Sequence, residues 1–266
     1  MTKFVAGVDI GSLWTKVVII DESREIISYS MLRSGASHEK AAHTAMEAAL
    51  KDAGLNFDDL SYIVSTGYGR SRSRFANSEI TEISCHARGA NLLFPEVRTV
   101  IDIGGQDSKV IGVGDKGRVL RFVMNDKCAA GTGRFLEVMA QALEVELGEM
   151  SDLASHSHNE VEVSSMCTVF AESEVISLIS SGCEKTDIAA ALYRAIARRI
   201  VGMVGQVGLH QMVVMSGGVA KSQGIVKALE QKLETTILVP SEPQIVGAWG
   251  AALFALERLA SQALIS

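Results

Sequence analysis

The sequence predicts an α/β protein built from two similar lobes. The main observation is a repeat at Asp9 and Asp102: an apolar run, the triplet Asp-Ile-Gly, a lysine seven residues after the aspartate, and a second β-branched run. An internal duplication is the simplest cause of such a repeat. The length of 266 residues suits two lobes. Helical patterns fill much of the remaining chain, at residues 38–53, 187–207, 225–233 and roughly 246–260. We expect the lobes to be residues 1–95 and 96–266, with the last helix packing back on lobe one.

Composition excludes several classes of function. With 47% hydrophobic and 21% charged residues, and 24 glycines against 3 prolines, the chain is typical of a compact soluble protein. A formal net charge of -6 without a Lys/Arg-rich run argues against nucleic acid as a partner. No apolar run reaches the roughly 18 to 20 residues that span a bilayer, and Asp9 interrupts the apolar stretch Phe4–Val8. We therefore expect a cytoplasmic protein without a membrane partner.

The first Asp-Ile-Gly stretch predicts a β-hairpin whose tip can bind phosphate. A glycine lets the backbone approach a ligand, hydroxyls and a lysine can contact phosphate oxygens, and Asp9 can hold Mg²⁺ through water. The candidate phosphate-binding residues of this tip are Gly11, Ser12, Leu13, Trp14, Thr15 and Lys16. Asp-x-Gly is also a common turn signal, so this stretch alone does not establish a binding site.

The second stretch makes the phosphate interpretation stronger, because two such tips can face each other across a cleft and hold a polyphosphate with its metal. Here Gly104, Gly105 and Gln106 are the candidate binding residues. Phosphoryl transfer depends mostly on placement and charge neutralisation. We therefore expect Asp9 and Asp102 to organise Mg²⁺, and Gln106 or Asp107 to position the attacking water.

A third glycine turn follows the strand pattern Val213–Ser216 and precedes a helical pattern at Ile225–Leu233. Its small residues would let an adenosine lie against the backbone. The candidate residues are Gly217, Gly218 and Val219.

Two common nucleotide motifs are missing: the sequence has no P-loop pattern, and Leu136 stands where a dinucleotide fingerprint needs its third glycine.

Two cysteines, Cys128 and Cys167, precede helical patterns in polar surroundings, Cys128 just before a glycine-rich turn. We expect a helix to begin at each thiol. A helix N-terminus stabilises a thiolate, or an anionic metal cluster bound to it. The alternative is that both are inert core cysteines, which are common. Polar neighbours such as Asn125, Asp126 and Ser164 argue against a core position. Four widely spaced cysteines without an export signal favour metal or redox chemistry over disulfides.

The motifs together resemble the acetate and sugar kinase, Hsp70 and actin superfamily. Within it the cysteine segments resemble the ATP-dependent activators of 2-hydroxyacyl-CoA dehydratases, of the BadF/BadG/BcrA/BcrD type, which are related to the ATPase subunits of benzoyl-CoA reductase. The resemblance covers nearly the whole chain. It rests on the segments that begin Asp9-Ile-Gly-Ser, Asp102-Ile-Gly-Gly-Gln-Asp, Asn125-Asp-Lys-Cys-Ala-Ala-Gly-Thr-Gly, Cys167-Thr-Val-Phe-Ala-Glu and Gly247-Ala-Trp-Gly-Ala-Ala.

This resemblance implies the actin-like, ribonuclease H-like fold with ATP and Mg²⁺ in the cleft between the lobes. It also implies one [4Fe-4S] cluster per homodimer, to which each chain contributes Cys128 and Cys167. Electrons would pass from reduced ferredoxin or flavodoxin through this cluster to a 2-hydroxyacyl-CoA dehydratase. We count Gly131, Gly133 and Gly247 among the nucleotide-binding positions as well.

Several alternatives stay open at this point. A cluster usually needs four thiolates. Two chains of a dimer can supply two each, or one chain can supply all four of its cysteines, with Cys85 and Cys183 included. The partner can instead be an aryl-CoA reductase of the benzoyl-CoA type. A small-molecule kinase and a filament-forming actin-like protein are compatible with the fold, although the cysteine pair argues against both.

Overall fold

The computed structural model describes residues 2–164 and 167–263. Ser165 and Met166, which belong to the predicted second cysteine segment, lie outside the described residues. The strands are β1 Phe4–Ile10, β2 Trp14–Ile20, β3 Ile26–Arg33, β4 Leu60–Thr66, β5 Ser78–Glu79, β6 Thr99–Ile103, β7 Ser108–Val113, β8 Val119–Asn125, β9 Val213–Ser216 and β10 Ile237–Leu238. The helices are α1 His38–Ala53, α2 Glu82–Leu93, α3 Gly133–Ala142, α4 Met150–Ser155, α5 Thr168–Ser180, α6 Lys185–Val207, α7 Gln223–Leu233 and α8 Val246–Ala263.

Two five-stranded sheets repeat one topology. The first has the order β3-β2-β1-β4-β5, and the second has the order β8-β7-β6-β9-β10 when it is written from the same side. In each sheet the first strand pairs antiparallel with the second and parallel with the fourth. The duplication inferred from the Asp-Ile-Gly repeat therefore extends to the order of all five strands in each sheet.

The chain divides into two compact units by its internal contacts. Unit 1 comprises Met1–Val97, Val113–Leu120 and Gln244–Ser266, and unit 2 comprises Arg98–Gly112 and Arg121–Pro243. The first segment of unit 1 ends two residues beyond the lobe boundary expected at residue 95. Helix α8 packs on α2, β1 and β4, all within unit 1.

The sheet of unit 1 has apolar layers on both faces, as the alternation of side chains along β1 illustrates. Ala6, Val8 and Ile10 pack with the apolar face of α1. Val5 belongs to the opposite layer, with Cys85 of α2 and small residues of α8. Successive strand residues point to opposite faces, so a central strand covered on both sides is apolar along most of its length. Asp9 is the one charged residue of β1, and it is buried.

Unit 2 has one large apolar cluster, formed by one face of its sheet with α3, α6 and α7. Phe135 and Met139 lie one turn apart on α3 and are fully buried there. Four methionines lie in apolar patterns that predict a core position; those at 139, 203 and 215 belong to this cluster, whereas Met212 is half-buried and outside it.

The predicted helices are present. Helix α1 covers the predicted residues, because Ser37 caps its first turn and Gly54 ends it in the left-handed conformation. The helix predicted from Asp187 begins two residues earlier, at Lys185. In the part of the chain that the structure describes, no helix combines the length and apolar character needed to cross a membrane.

Candidate functional site

The first candidate phosphate tip is a β-hairpin whose strands are joined by an ion pair. Asp9 and Lys16 are opposite each other in the register of β1 and β2, and Lys16 Nζ lies 2.9 Å from Asp9 Oδ2. The Asp9 side chain is buried, whereas Lys16 is partly exposed. The seven-residue spacing in the sequence is therefore the spacing of a cross-strand pair in a short hairpin.

Ser34, at the end of β3, supports this tip from inside the protein. Its hydroxyl donates to the Gly11 carbonyl at 2.7 Å, and its backbone N–H donates to the Leu13 carbonyl at 2.9 Å. The same hydroxyl lies 3.0 Å from Thr15 Oγ1, and Thr15 is fully buried. The Thr15 hydroxyl is thus bonded within the protein, while Ser12 is partly exposed at the tip. Phosphate binding by this tip stays a prediction.

The second tip is enclosed by more polar contacts than the first. Lys109 Nζ lies 3.1 Å from Asp102 Oδ2 and 2.9 Å from Asp107 Oδ2. Ser216 Oγ donates to Asp102 Oδ1 at 2.9 Å. Only 2% of the Lys109 side chain is exposed, and a buried ammonium is costly unless it is paired. The two carboxylates supply that pairing, and the Asp102 carboxylate is held on both oxygens.

The loop of the second tip leaves its predicted water-positioning residue accessible. The Gly104 N–H donates to the Asp107 carbonyl at 2.9 Å and closes the loop. Gln106 is exposed, and Asp107 is half-buried because its carboxylate pairs with Lys109. Of the two residues predicted to orient water, Gln106 therefore has the freer side chain. Its role stays a prediction.

The third glycine turn lies against the second tip and the start of α3. Gly217 has φ 87° and donates its N–H to the Pro243 carbonyl, and a short 3-10 turn follows at Gly218–Lys221. A Cβ added to Gly133 would lie 3.3 Å from the Gly104 carbonyl oxygen and 3.4 Å from Val219 Cγ2. The fold thus gathers three of the predicted nucleotide-binding segments of unit 2, from distant parts of the sequence.

Backbone hydrogen bonds join the second tip to the first residues of α3. The Gly133 N–H donates to the Gly104 carbonyl at 2.9 Å, and the Arg134 N–H donates to the Gly105 carbonyl at 2.8 Å. These are N–H groups of the first helical turn, which have no partner inside the helix. Any displacement of the tip therefore acts directly on α3.

Cys128 lies in the loop between β8 and α3, and it is exposed. Asn125 orders this loop, because its amide donates to the carbonyls of Cys128 at 2.8 Å and Ala130 at 3.0 Å. The prediction that a helix starts at this thiol needs correction. Thr132 is the N-cap of α3, so Cys128 precedes the cap by four residues and lies in a polar turn before it. The glycine-rich turn separates the thiol from the helix.

Cys167 is the N-cap of α5, as predicted, and it is exposed. Its carbonyl accepts from the Ala171 N–H at 2.8 Å. The exposed face of α5 carries three large apolar side chains, Val169, Phe170 and Ile176, which are 67%, 67% and 52% exposed. A helix that begins at a thiol therefore also presents apolar side chains to the surface.

Helix α6 holds the chain segment that leads to Cys167. Near its start Asp187 accepts from the Ser157 hydroxyl and from the backbone N–H groups of residues 158 and 159. Further along, Arg194 donates to the Val161 carbonyl and Arg198 donates to the Val163 carbonyl, both at 2.8 Å. The pKa of Asp187 is lowered mainly by the hydrogen bond from the backbone N–H of Asn159, and next by the hydrogen bond from the Asn159 side chain. A series of hydrogen bonds thus holds residues 157–163 along the side of α6.

The remaining predicted residues lie elsewhere. Cys85 is fully buried in α2, and burial raises its pKa to about 12, so it is an unreactive thiol at neutral pH. Cys183 lies in the turn after α5. Gly247 lies in α8, where an added Cβ would be 2.7 Å from His86 Nε2, so close helix packing explains this glycine. Gly131 has φ 79° and packs on Arg199. Nucleotide binding by either glycine stays a prediction.

Sequence reasoning missed the residues that support the site from other elements. Ser34 is a single hydroxyl residue with no local pattern to mark it. Asp187 was assigned only to a helix, and the N–H groups that it accepts from belong to residues 158 and 159, which lie 29 and 28 residues earlier and share no local pattern with it. Ser216 was within reach of sequence reasoning, because it directly precedes the glycine pair that ends β9.

Comparison with known proteins gives consistent results along the whole chain. The model of the BadF/BadG/BcrA/BcrD ATPase family matches residues 6–255. A 2-hydroxyisocaproyl-CoA dehydratase activator from Clostridioides difficile is 46% identical over 254 residues, which cover 96% of this chain and 95% of that protein. The (R)-2-hydroxyglutaryl-CoA dehydratase activating ATPase of Acidaminococcus fermentans is 44% identical over 261 residues, 98% of this chain and 100% of that one. One subunit of the benzoyl-CoA reductase of Thauera aromatica is 33% identical, with coverage of 94% of this chain and 92% of that one.

Solved structures agree with the fold predicted from the sequence. The activator of the 2-hydroxyisocaproyl-CoA dehydratase from Clostridium difficile, with bound ADPNP, superimposes with a TM-score of 0.93 at 44% identity and covers 99% of this chain and 98% of that one. The two sheets and their helices form the actin-like ATPase fold. With a family model that spans residues 6–255, the chain belongs to the BadF/BadG/BcrA/BcrD ATPase family.

Proposed function

We propose that this protein is an ATP-hydrolysing iron-sulfur activator that drives low-potential electron transfer from ferredoxin or flavodoxin to a 2-hydroxyacyl-CoA dehydratase. The observation that carries the proposal is the similarity, along nearly the whole chain, to two proteins that activate such dehydratases. The two exposed cysteines add the chemistry that electron transfer requires. A location in the cytoplasm belongs to the proposal, since exposed thiols persist in reducing compartments.

The residues of the two hairpins fit ATP and Mg²⁺. Each hairpin has a buried aspartate with a lysine partner at the end of its first strand, and a glycine in the loop after it. Asp9 and Asp102 would hold Mg²⁺ through its water ligands, because Mg²⁺ keeps several waters when it binds to proteins. The tip residues from Gly11 to Lys16 and the Gly104-Gly105 pair would bind phosphates, and Gln106 or Asp107 would orient the attacking water. The adenosine would lie at Gly217, Gly218 and Val219.

The donor set also fits one [4Fe-4S] cluster shared by two chains. Cys128 and Cys167 are exposed, so two thiolates from each protomer of a homodimer can supply the four that a cluster needs. Among residues 2–164 and 167–263, no group of three or more His, Cys, Asp or Glu side chains can hold a metal within one chain. That finding disfavours the single-chain alternative with Cys85 and Cys183, and Cys85 is also inaccessible. When bound, the cluster supplies one-electron transfer at low potential.

The exposed face of α5 supports a role in association. Val169, Phe170 and Ile176 place large apolar side chains at the surface of the helix that Cys167 caps. Grouped apolar side chains at a surface are typical of protein contact sites. We assign this face to the contacts made around the cluster, either with the second protomer or with the dehydratase.

An aryl-CoA reductase is the second candidate partner. It is favoured by the relation to the benzoyl-CoA reductase of Thauera aromatica, but that identity is 33%, against 44% and 46% for the dehydratase activators. The kinase and filament alternatives receive no support from the cysteine pair. The dehydratase activator is therefore the function that the chain supports best.

The test uses anaerobically purified protein. We expect about four iron atoms per dimer, ATP hydrolysis, and ATP-dependent activation of a 2-hydroxyacyl-CoA dehydratase in the presence of reduced ferredoxin or flavodoxin. An aryl-CoA reductase assayed in parallel discriminates the second candidate. Protein that hydrolyses ATP but contains no iron and activates neither enzyme would contradict the proposal.

A further inference from the structure

Each unit places a hydroxyl residue beside its buried aspartate at the same point of the sheet. In unit 1 the parallel pairing of β1 and β4 sets Asp9 beside Thr66. In unit 2 the parallel pairing of β6 and β9 sets Asp102 beside Ser216. Paired residues on neighbouring strands project to the same face of a sheet. The duplication therefore includes a hydroxyl next to each carboxylate.

The residue after each hydroxyl is a glycine in the left-handed region, Gly67 with φ 88° and Gly217 with φ 87°. A Cβ added to Gly67 would lie 2.5 Å from Asp9 Oδ1 and 2.6 Å from the next carbonyl oxygen along β1. A Cβ added to Gly217 would lie 2.9 Å from Asp102 Oδ1 and 2.3 Å from the matching carbonyl oxygen of β6. The backbone therefore turns across both carboxylates in the same way, and only glycine fits.

The two hydroxyls differ in the bonds that they make. Ser216 Oγ donates to Asp102 Oδ1 at 2.9 Å. Thr66 Oγ1 is fully buried and makes no hydrogen bond of normal geometry to the residues that the structure describes. Its polar neighbour is the thiol of Cys85, whose pKa is raised to about 12 by burial. A protonated thiol is only a weak hydrogen-bond acceptor. The Thr66 hydroxyl is thus left with a poor partner next to a carboxylate.

We infer that Thr66 is a positioning residue for Asp9: on binding of the Mg²⁺-nucleotide complex its hydroxyl donates to Asp9 Oδ1, as that of Ser216 does to Asp102. Lys16 bonds Asp9 Oδ2, so the second donor fixes the plane of the carboxylate. The register already places the two residues side by side, so the proposed change is a rotation of the Thr66 side chain rather than a shift of the strands. The inference rests on the proposed role of Asp9 in holding Mg²⁺ and the nucleotide.

The test compares the binding of Mg²⁺-ADPNP, measured by calorimetry, among single variants. Thr66→Val removes the hydroxyl and keeps the shape, and we expect affinity about tenfold lower, the loss of one hydrogen bond to a charged group. Thr66→Ser keeps the hydroxyl and should bind like the wild type. Ser65→Ala is the matched control, since Ser65 is the preceding residue of β4 and its side chain points to the opposite face. Thr66→Ala is measured as a second variant without the hydroxyl.

Cys85→Ala separates the inference from a purely structural role. If the hydroxyl acts on Asp9, Cys85→Ala leaves Mg²⁺-ADPNP affinity near that of the wild type. Equal affinity in Thr66→Val, Thr66→Ala and the wild type would overturn the inference while leaving the proposed function intact. So would a loss in Cys85→Ala as large as that in Thr66→Val, because the hydroxyl would then serve the thiol. Wild-type protein that binds no Mg²⁺-ADPNP would contradict the proposed function itself, and the inference with it.

Discussion

Asp9 and Asp102 occupy matching positions at the ends of β1 and β6, but their surroundings differ in polarity and burial. Lys16, the partner of Asp9, has 15% of its side chain exposed, whereas Lys109 has only 2%. Asp102 also accepts from Ser216. Removal of the second carboxylate therefore takes a partner from a fully buried ammonium, whereas removal of the first affects an ammonium that water can still reach.

This difference separates the effects of Asp9→Asn and Asp102→Asn. We expect both variants to lower the turnover number for ATP by roughly 100-fold, because phosphoryl transfer depends on charge placed at the metal and phosphates. Asp102→Asn should also lower the free energy of unfolding more than Asp9→Asn does, by about 1 to 3 kcal/mol, because Lys109 is fully buried. The remaining partner of Lys109, Asp107, limits this loss. Steady-state ATPase assays and urea unfolding measure the two effects. Wild-type hydrolysis by Asp102→Asn would contradict its assignment.

At the scale of the elements, α3 connects the second tip to the cysteine loop. Its first two N–H groups donate to the carbonyls of Gly104 and Gly105, and Cys128 lies in the loop that enters the helix. A nucleotide that moves the tip would then move α3, and through it the thiol.

Gly133→Pro tests this connection. Proline suits the first position of a helix, and Thr132 has the extended backbone that a residue before proline needs, so α3 should persist. The substitution replaces the N–H that bonds the Gly104 carbonyl with a Cδ, so the hydrogen bond is lost and the carbonyl must move away from the helix. We expect electron transfer to the dehydratase to lose most of its dependence on ATP relative to ADP. Gly133→Ala keeps the N–H and is the control.

The measurement is the rate of electron transfer from pre-reduced protein with ATP, with ADP and without nucleotide. Binding of Mg²⁺-ADPNP is measured on the same variants, so that weaker binding is not mistaken for uncoupling. A Gly133→Pro variant with the full wild-type ratio of the ATP and ADP rates would show that the signal does not pass through this hydrogen bond.

Helix α6 is the second connecting element, and its contacts with residues 157–159 depend on pH through Asp187. Hydrogen bonds from Asn159 hold the pKa of Asp187 below its ordinary value, so the folded state binds a proton less readily than the unfolded chain. The contribution of Asp187 to stability is therefore complete above the unfolded pKa of about 3.9 and is lost as pH falls below it.

We expect Asp187→Asn to be less stable than the wild type at pH 7, and the difference to shrink below about pH 4. Asp152→Asn is the control, because 82% of that side chain is exposed and its removal should change little. Urea unfolding across the pH range measures both. A difference that stayed constant down to pH 3 would rule out this linkage.

At the scale of the whole molecule, the proposed cluster makes assembly depend on two thiols of each chain. We expect Cys128→Ser and Cys167→Ser to lose iron and to shift the dimer toward monomers, because either change removes two of four ligands per dimer. Cys183→Ser and Cys85→Ala should keep both iron and dimer. Alanine replaces Cys85 because a serine hydroxyl would be buried at this position.

Iron analysis and sedimentation velocity under anaerobic conditions test this assignment. Loss of iron in Cys183→Ser or Cys85→Ala, at unchanged stability, would favour a cluster within one chain.

The coupling to ATP requires that ATP and ADP favour different conformations of the proposed dimer. To move the dimer from mostly one conformation to mostly the other, the preferences of the two nucleotides must differ by about 5 kcal/mol, which the loss of several γ-phosphate contacts can supply.

The sequence by itself determined the features that depend on neighbouring residues. The seven-residue spacing of aspartate and lysine predicts each hairpin, because the two strands of a hairpin are joined by a short loop that sets their register. Ser37 and Gly54 mark the ends of α1 for the same reason, since caps act within a few residues. The local sequence pattern also predicted that a helix begins at Cys167, an exposed thiol.

Only the tertiary structure decided which distant residues complete the site. Ser216 bonds Asp102 across 114 residues of sequence, and Thr66 reaches Asp9 through the pairing of β4 with β1. Helix α8 belongs to unit 1 although it closes the chain. Parallel pairing and helix docking bring together segments with no shared local pattern. Their arrangement is set by burial of apolar faces over a whole unit, which the pattern of a single segment cannot specify.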